Sequence, residues 1–564
     1  MEWLGKVFRS LFGTGEDNDP RKHYGSSTNH PHQNPTSISA RETSDYLYKY
    51  SGSSTNLRQQ NPTSYSSQVK PSIHTDNPSQ HPHVNVKDQS FAYSPSLEKL
   101  SFDEGNKKQN NYGKESRIKS DSHKKEKLPV YGIPEEIRAL IEKGKVPDVL
   151  IKPLSASTYS NYFASLLYAE DVYVETWSDF VLEGITVQIY QELTNRDKTR
   201  YKNNDQKTST KKNPLVYFEF PHDRVDRPFL LSRDYVFLKP SGKMVDPFKG
   251  TVCRVEKSKK VVVEFGDDFH SPRRKSFDQN YDVSFSFNRV CLKRCHQAVA
   301  AASEPSSHGL LFPSYTPIRI PDARNSASSS NLHLDTKQQA AVSGILRCKG
   351  FPPYLVEGPT RVDNSPFGAS SLAIQKTKAV VGVAASYIYK SFPNSKILIA
   401  APTNKACDDL LRILLRDIPD TELFRSNAAF RELEDVPVEV FGASSYDGEV
   451  FDCPTLQKLK SYRVITSTFI SCFRLYSAGI TKGHFTHIFL MDASAATEPE
   501  TMVALVNLAC KNTTVVVTGC SSEKPSRIRS PISQQHGLRR SYFERLLGQL
   551  PYSEDNPLFV THLS

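Results

Sequence analysis

Three residues in the middle of the chain are of the types that bind a nucleotide phosphate. Gly358 follows an apolar run typical of a buried strand, and Lys376-Thr377 stand at the head of a helical pattern. In a phosphate-binding loop of the form GxxxxGK[ST], glycines let consecutive backbone N–H groups curl around the phosphate oxygens. Here 17 residues separate Gly358 from Lys376, whereas the motif allows roughly five. The spacing therefore predicts a phosphate loop that has lost its tight glycine turn.

Further segments show the family to which this loop is related. In chain order they are LPVYGIPEEIRALIEKG, FSFNR, LDTKQQAAV, YLVEGP, APTNKACDDL, RVITSTFIS, GHFTHIFLMDASAATEPETM and GLRRSYFERLL. This order resembles the silencing-defective RNA helicases of plants. Those are relatives of the animal Moloney-leukaemia-virus-resistance helicases and similar to the nonsense-decay helicase, all of superfamily one. The resemblance runs from Leu128 to the last residue and implies a truncated, degenerate member that carries the first RecA-like domain and lacks the second.

The resemblance also assigns the adenine and phosphate contacts of the nucleotide site. Gln338 stands where the family uses a glutamine to read adenine, although an ordinary polar helix residue is the alternative. Gly358, Lys376 and Thr377 match the ends of the phosphate loop, with Thr377 offering a hydroxyl to Mg²⁺. ATP and Mg²⁺ are the family's cofactors.

The acidic helicase motifs are altered in this chain. Alignment to the family pattern places Met491 at the magnesium-binding acid and Asp492 at the carboxylate that orients the attacking water. In the third motif Cys520 replaces an acid and Glu523 replaces a glutamine, so a negative side chain would face the triphosphate. The loss of a positioned base costs about 10²–10⁴-fold in rate. We therefore expect Asp492 to be an inactive remnant, and we expect neither a nucleotide nor a metal cofactor.

The residues that the resemblance assigns to RNA are intact. Pro402, Thr403 and Asn404 match the motif that contacts the nucleic-acid backbone, and Ser467 and Thr468 form a similar group. Hydroxyl and amide groups at strand ends suit phosphate contacts that do not depend on base sequence. The alternative is that these side chains only cap strands and helices.

The bulk properties agree with a polyanionic partner but do not require one. Lys and Arg outnumber Asp and Glu by 72 to 61, and the isoelectric point is near 9.0. A basic balance is typical of nucleic-acid binding, and a solvated basic surface is the alternative. Nine cysteines are scattered without CxxC pairs, which favours free thiols over a zinc site. No apolar run has transmembrane length.

The pattern along the chain predicts the domain organisation. Residues 1–127 form a disordered tail rich in Ser, Asn, Gln and His, in which residues 1–13 could form an amphipathic helix with weak membrane-surface contact. Residues 128–171 read as a helical stalk, 172–300 as a small β-barrel with basic loops, and 301–333 as a linker. Residues 334–564 alternate buried strands and helices, as in a single RecA-like domain with a parallel sheet and a P-loop NTPase fold.

Three hypotheses for function follow. The first is a helicase-like protein with a defective ATPase, which binds single-stranded RNA or silencing proteins as a scaffold in post-transcriptional gene silencing. The second is a working ATP-dependent helicase seen through a faulty gene model, which would account for residues 360–374 and the early end but not for Met491 or Cys520. The third is a relic without a function. The resemblance implies a cytoplasmic location, including ribonucleoprotein granules.

Overall fold

A computed structural model describes residues 128–190, 213–221, 227–257, 259–271, 277–313, 334–359 and 368–563. The predicted tail and its terminal helix, residues 1–127, lie outside this range. Within the described range, no helix is both long and apolar enough to cross a membrane.

The C-terminal half is built on a sheet of seven strands, all parallel, in the order β10-β11-β9-β12-β13-β8-β14. The strands are β8 (Tyr354–Glu357), β9 (Ile397–Ala401), β10 (Leu423–Ser426), β11 (Val464–Thr468), β12 (His487–Leu490), β13 (Thr514–Gly519) and β14 (Val560–His562). This confirms the predicted α/β class with a parallel sheet.

Both faces of the parallel sheet are buried. In β9, Leu398 and Ala400 belong to one apolar cluster, whereas Ile397, Ile399 and Ala401 belong to another on the opposite face. A strand covered on both sides must be apolar at every position, which explains the continuous apolar runs in the sequence.

The helices of the described C-terminal half lie before and between these strands in the chain. They are α5 (Thr336–Arg347), α6 (Gly368–Ser391), α7 (Asn404–Leu414), α8 (Val438–Phe441), α9 (Leu456–Ser461), α10 (Cys472–Ser477), α11 (Glu498–Val503), α12 (Pro531–Gln535) and α13 (Tyr542–Leu547).

The N-terminal half contains a second seven-stranded sheet, which is antiparallel and has the order β1-β7-β4-β5-β6-β3-β2. Its strands are β1 (Val181–Ile185), β2 (Gln188–Ile189), β3 (Val216–Glu219), β4 (Tyr235–Pro240), β5 (Phe248–Glu256), β6 (Lys260–Phe265) and β7 (Tyr281–Ser286).

The two edge strands of the antiparallel sheet, β1 and β2, follow one another directly in the chain. β1 ends at Ile185 and β2 begins at Gln188, and a chain of this length spans at most about 11 Å. The edges must therefore lie close together, and the sheet curls around an apolar cluster that includes Val236, Val263 and Phe285. This curled sheet corresponds to the small barrel predicted from the strand pattern.

Four helices connect the barrel to the parallel sheet: α1 (Glu135–Glu142), α2 (Tyr159–Thr176), α3 (Val290–Ala301) and α4 (His308–Leu311). Leu166 and Leu167 of α2 are buried. The carbonyl groups of Leu310 and Leu311, in the segment assigned to a linker, accept hydrogen bonds from Tyr542 and Arg545 of α13. The described part of that segment is therefore packed against the C-terminal domain.

Candidate nucleotide site and nucleic-acid edge

The phosphate loop differs from the sequence prediction at the start of its helix. β8 ends at Glu357, but α6 begins at Gly368, eight residues before Lys376. Lys376 therefore lies about 12 Å along the helix axis from the helix start. The prediction that Lys376-Thr377 head the helix is wrong. Because only the first four N–H groups of a helix are available to an anion, the backbone at Lys376 and Thr377 cannot form a phosphate cradle.

The side chains of the remnant loop contact the protein itself. The Lys376 Nζ lies 3.0 Å from Oδ2 of Asp335, the residue that caps α5. The Thr377 hydroxyl donates to the carbonyl of Ile374, one turn back, at 3.2 Å, and Thr377 is 1% exposed. The Gly358 N–H donates to the carbonyl of Gly519 at 2.8 Å. None of these three residues presents its group to an open phosphate site.

Gln338, the predicted adenine reader, is part of the cap of α5. Its Oε1 accepts from the Asp335 N–H at 3.0 Å, and its Nε2 donates to the Lys376 carbonyl at 3.1 Å. The Asp335 carboxylate in turn accepts from the Gln338 N–H, which completes a capping box. Both ends of the Gln338 amide are thus engaged within the protein, and the adenine contact stays a prediction.

Asp492 lies in the carboxyl-end turn that follows β12 and is nearly buried. It is 4% exposed, with φ 49° and ψ 39° in the left-handed region, and its N–H donates to the Thr518 hydroxyl at 3.1 Å. Burial, and to a lesser extent the Glu523 carboxylate, raise the pKa of the Asp492 carboxyl to about 7, and Lys378 partly opposes the shift. A carboxyl that titrates near neutrality beside a second carboxyl is a poor host for a triphosphate.

Glu523 is held opposite Asp492 by a short hydrogen-bonded chain. The Ser494 hydroxyl donates to Glu523 Oε2 at 3.1 Å and accepts from the Cys520 N–H at 3.0 Å. Burial raises the pKa of Glu523, and the Ser494 hydrogen bond lowers it. Met491, at the predicted magnesium position, is fully buried in an apolar cluster. The Met491 thioether cannot supply the oxygen ligand that Mg²⁺ prefers at this position.

The fit to a metal is no better elsewhere in the part of the chain that the structure describes. Within it, no group of three His, Cys, Asp or Glu side chains is placed to hold an ion. Cys520 is 2% exposed, and its Sγ lies 3.6 Å from the Pro359 carbonyl. The Cys520 side chain therefore packs against the start of the phosphate loop.

The predicted RNA residues lie together where the neighbouring strands β9 and β11 end. We call the side of the parallel sheet formed by the carboxyl ends of its strands the carboxyl edge. β9 and β11 are neighbours in register, with Thr468 opposite Ala401, so Pro402 and Thr468 are at adjacent carboxyl ends. Thr403 caps α7 by accepting from the Ala406 N–H at 3.2 Å. Contact of these residues with RNA stays a prediction.

The exposure of these residues separates possible contacts from packing residues. Pro402, Thr403, Asn404 and Thr468 are partly exposed, but Ser467 is fully buried and donates to the Ser426 carbonyl at 3.3 Å. The Ser467 side chain therefore does not face the edge. The Thr468 hydroxyl donates a hydrogen bond to the Ser471 hydroxyl at 2.9 Å. This contact agrees with the alternative stated above, in which the side chain caps local structure.

Sequence reasoning missed a buried charge network beneath this edge. Asp408 accepts from both Arg425 at 2.8 Å and Arg431 at 2.5 Å, and Arg425 also donates to the Asn404 amide oxygen at 3.0 Å. All three charged residues are buried. The only sequence signal is a charged residue inside an apolar strand, at Arg425, and its partners Asp408 and Asn404 lie 17 and 21 residues away.

The proteins similar to this chain in sequence are helicases. The Gallus gallus protein MOV-10, whose name classes it as a helicase, is 28% identical over 487 residues, covering 79% of this chain and 46% of the relative. RNA helicase Mov10l1 of Homo sapiens is 24% identical over 525 residues, covering 77% of this chain and 39% of the relative. The chain thus spans less than half the length of the curated relatives it matches.

Two other comparisons add little. No protein-family model matches the chain. The DNA complex of arterivirus nonstructural protein 10, a helicase, aligns at 8% identity with a TM-score of 0.21 over 55% of this chain and 51% of that chain, and this likeness carries no argument. The homologues, which match most of this chain, are superfamily-one helicases. Within that class, the homologues of this chain are RNA helicases of the MOV-10 family.

Proposed function

We propose that this chain is an RNA-binding, helicase-like protein without a working ATP motor, which acts as a scaffold in post-transcriptional gene silencing. The observation that carries the proposal is the nearly buried Asp492 carboxylate beside the partly buried Glu523 carboxylate, at the position where the relatives would hold a magnesium–triphosphate group. The silencing role comes from the family resemblance, and so does the proposed cytoplasmic location.

Four separate features argue against ATP hydrolysis. The helix start is displaced from Lys376, the Lys376 ammonium is paired with Asp335, the Gln338 amide is engaged at both ends, and Met491 stands at the magnesium position. Phosphoryl transfer depends on positioning and on cations that neutralise the developing charge. A site with two carboxylates and a displaced loop supplies neither.

Three features support RNA binding. The relatives named Mov10l1 and armi are described as RNA helicases. The chain is basic by 11 charges, and Thr403 and Asn404 stand partly exposed at a carboxyl edge of the parallel sheet. Hydroxyl and amide groups at such an edge suit sequence-independent contacts to phosphates.

A titration of the full chain with a single-stranded RNA of about 12 nucleotides tests this function. A backbone binder loses affinity as salt rises, with a log–log slope of about −0.7 for each neutralised phosphate. A scaffold without a motor also keeps the same RNA affinity with and without MgATP. Affinity that is absent, or that does not change with salt, contradicts the RNA-binding part. An RNA affinity that MgATP changes contradicts the loss of the motor.

The second candidate, a working helicase represented by a faulty gene model, is favoured by one observation. Lys376 and Asp335 still lie side by side with Gln338, so the parts of a nucleotide site remain adjacent. Sequencing of the transcript across codons 355–380 distinguishes the two. A transcript without the codons for residues 360–374 supports the working helicase, and a transcript that contains them supports the scaffold.

A further inference from the structure

The outward face of the barrel carries aromatic rings and cations on five adjacent strands. β4 places Tyr235 and Phe237 outward, because its odd-numbered positions are partly exposed and its even-numbered positions are buried. Tyr217 of β3 is likewise outward between the buried Val216 and Phe218. Tyr190, directly after β2, completes the set. We call these four rings and the cations around them the aromatic face.

Basic side chains alternate with these rings. Lys260 Nζ lies 3.7 Å from the centroid of the Tyr217 ring, and Lys249 Nζ lies 4.3 Å from that of Tyr235. The Arg254 guanidinium lies 4.8 Å from the centroid of the Tyr190 ring. Cations over ring faces are attracted by the ring quadrupole. The face therefore presents rings and cations in turn rather than in separate patches.

The strand register makes the aromatic face continuous. Tyr217 of β3 pairs with Val262 of β6, which pairs with Arg254 of β5, so these three residues form one row. The centroids of the Tyr190 and Tyr217 rings are 6.2 Å apart, and the two ring planes meet at 87°. A row across adjacent strands spaced about 4.8 Å apart gives a platform rather than a single contact.

The charge of the aromatic face favours an anionic ligand. The outward positions of β3 to β6 and the β5–β6 turn carry more cations than acids. The cations are Lys239, Lys249, Arg254, Lys257, Lys259 and Lys260, and the acids are Glu219, Glu256 and Glu264. Two of the acids are already paired, Glu256 with Arg254 at 3.0 Å and Glu219 with Lys259 at 3.9 Å.

We propose that the aromatic face is a binding site for single-stranded RNA, with Tyr190 and Tyr217 stacking on bases and Lys249, Arg254 and Lys260 contacting phosphates. Single-stranded nucleic acid is bound without sequence preference by aromatic side chains along a basic groove, because every base has a stacking face. This site is separate from the carboxyl edge of the parallel sheet. The inference rests on the RNA binding proposed above and locates it on the barrel.

The first test removes the stacking rings. The full chain and its Tyr190→Ala/Tyr217→Ala variant are titrated with a fluorescein-labelled oligouridylate of about 12 nucleotides, within the range that small barrels of this kind bind. We expect the double variant to bind at least tenfold more weakly, since stacking on two bases is lost. The matched control is Tyr446→Ala/Tyr476→Ala on the C-terminal domain, which should bind within twofold of wild type.

The Tyr190 hydroxyl donates to Glu256 at 2.8 Å, so the alanine variant also removes a barrel contact. Tyr190→Phe/Tyr217→Phe keeps both ring faces, and it should retain affinity within about twofold if stacking is the cause. Lys249→Gln/Lys260→Gln keeps the rings and should reduce the salt slope by about 1.4. Lys390→Gln, on α6, is its control and should leave the slope unchanged.

The outcomes separate this inference from the proposed function. Wild type could bind RNA with a salt dependence while Tyr190→Ala/Tyr217→Ala and Lys249→Gln/Lys260→Gln both bind as wild type does. In that case the site on the barrel is wrong while RNA binding stands. If wild type does not bind RNA at all, the proposed function itself fails and the site fails with it. A tenfold loss in the alanine variant, with retention in the phenylalanine variant, establishes the aromatic face as the site.

Discussion

Two buried carboxylates, Glu498 and Asp492, lie close in sequence and have opposite environments. Glu498 accepts two hydrogen bonds from the Arg545 guanidinium, at 2.7 and 2.6 Å, and one from the Tyr159 hydroxyl at 2.8 Å. Asp492 has no cation within ion-pairing distance among the described residues, and the charges that act on it include Glu523. The first carboxylate joins α2, α11 and α13, and the second belongs to the remnant nucleotide site.

The difference between these carboxylates separates the contacts that support the fold from those at the candidate nucleotide site. The contacts that hold the barrel, stalk and parallel sheet together are satisfied: the Arg529 guanidinium reaches Asp234 of the barrel at 2.6 Å, and the backbone N–H groups of Arg529 and Ser530 donate to Glu170 of α2. At the candidate nucleotide site, by contrast, Lys376 is paired with Asp335 and Asp492 lies beside Glu523. The fold is therefore supported independently of the chemistry.

The largest expected effect comes from breaking the satisfied carboxylate. Arg545→Met should lower the free energy of unfolding by about 3–5 kcal/mol, because it leaves Glu498 buried without its partner. Chemical denaturation measures the change. Arg539→Met, an exposed arginine nearby in the chain, is the control and should lie within about 0.5 kcal/mol of wild type. A change under 1 kcal/mol for Arg545→Met would mean that the ion pair is not structural.

Substitution of Asp492 is expected to raise the free energy of unfolding, whereas substitution of Arg545 lowers it. The pKa of Asp492 is raised to about 7 in the folded protein, whereas an unfolded Asp titrates near pH 3.9. The folded state thus holds the proton more tightly, so this group costs stability progressively as pH rises from about 4 to about 7. Asp492→Asn should remove that cost and stabilise the protein by up to about 4 kcal/mol at pH 8.

Chemical denaturation of wild type and Asp492→Asn at pH 5, 6, 7 and 8 measures this effect on the free energy of unfolding. Glu170, whose pKa burial also raises to about 7, is common to both proteins, so the difference between the two curves reports Asp492 together with its coupling to Glu523. Equal stability differences at pH 5 and pH 8 would show that Asp492 is not perturbed.

A substitution at Arg529, in the joint between the barrel and the parallel sheet, should lower the free energy of unfolding by a smaller amount. Arg529→Met removes the ion pair to Asp234, which keeps hydrogen bonds from the N–H groups of Leu231 and Asn288 at 2.7 and 2.9 Å. We expect a loss of about 2 kcal/mol, which is less than at Arg545 because Asp234 stays hydrogen bonded. Limited proteolysis should also cut the barrel faster than in wild type. Unchanged stability and cleavage would place the joint elsewhere.

The smallest expected effect concerns the nucleic-acid edge. Thr403→Ala should cost about 1 kcal/mol of stability through loss of the α7 cap. Thr455→Ala, which removes the matching cap of α9, is the control for stability. If Thr403 also contacts RNA, its variant weakens RNA binding several-fold while Thr455→Ala does not. Equal RNA affinities of the two variants would leave Thr403 a capping residue.

The sequence predicted the features that depend on local pattern. Buried parallel strands are continuous apolar runs, as β9 and β13 are, and strands at adjacent edges bring Pro402 near Thr468. The start of α6 was mispredicted because residues 368–375 contain Ala, Ser, Leu and Gln and no proline, so the helix extends backwards from Lys376.

The remaining features depend on residues far apart in the chain. Tyr159 is separated from Glu498 by 339 residues, and Asp234 from Arg529 by 295. No local period encodes such pairs. The burial of Ser467 is a consequence of strand packing, and the aromatic face is recognisable only after the register of β3, β5 and β6 is known.

The central claim, a helicase fold without an ATP motor, is tested most directly by the rate of ATP hydrolysis in the presence of Mg²⁺ and single-stranded RNA. Wild type is compared with Lys376→Ala at pH 7.5. The account predicts that the two rates are equal and do not rise above the rate without protein. A wild-type rate that RNA stimulates and that Lys376→Ala abolishes would contradict it.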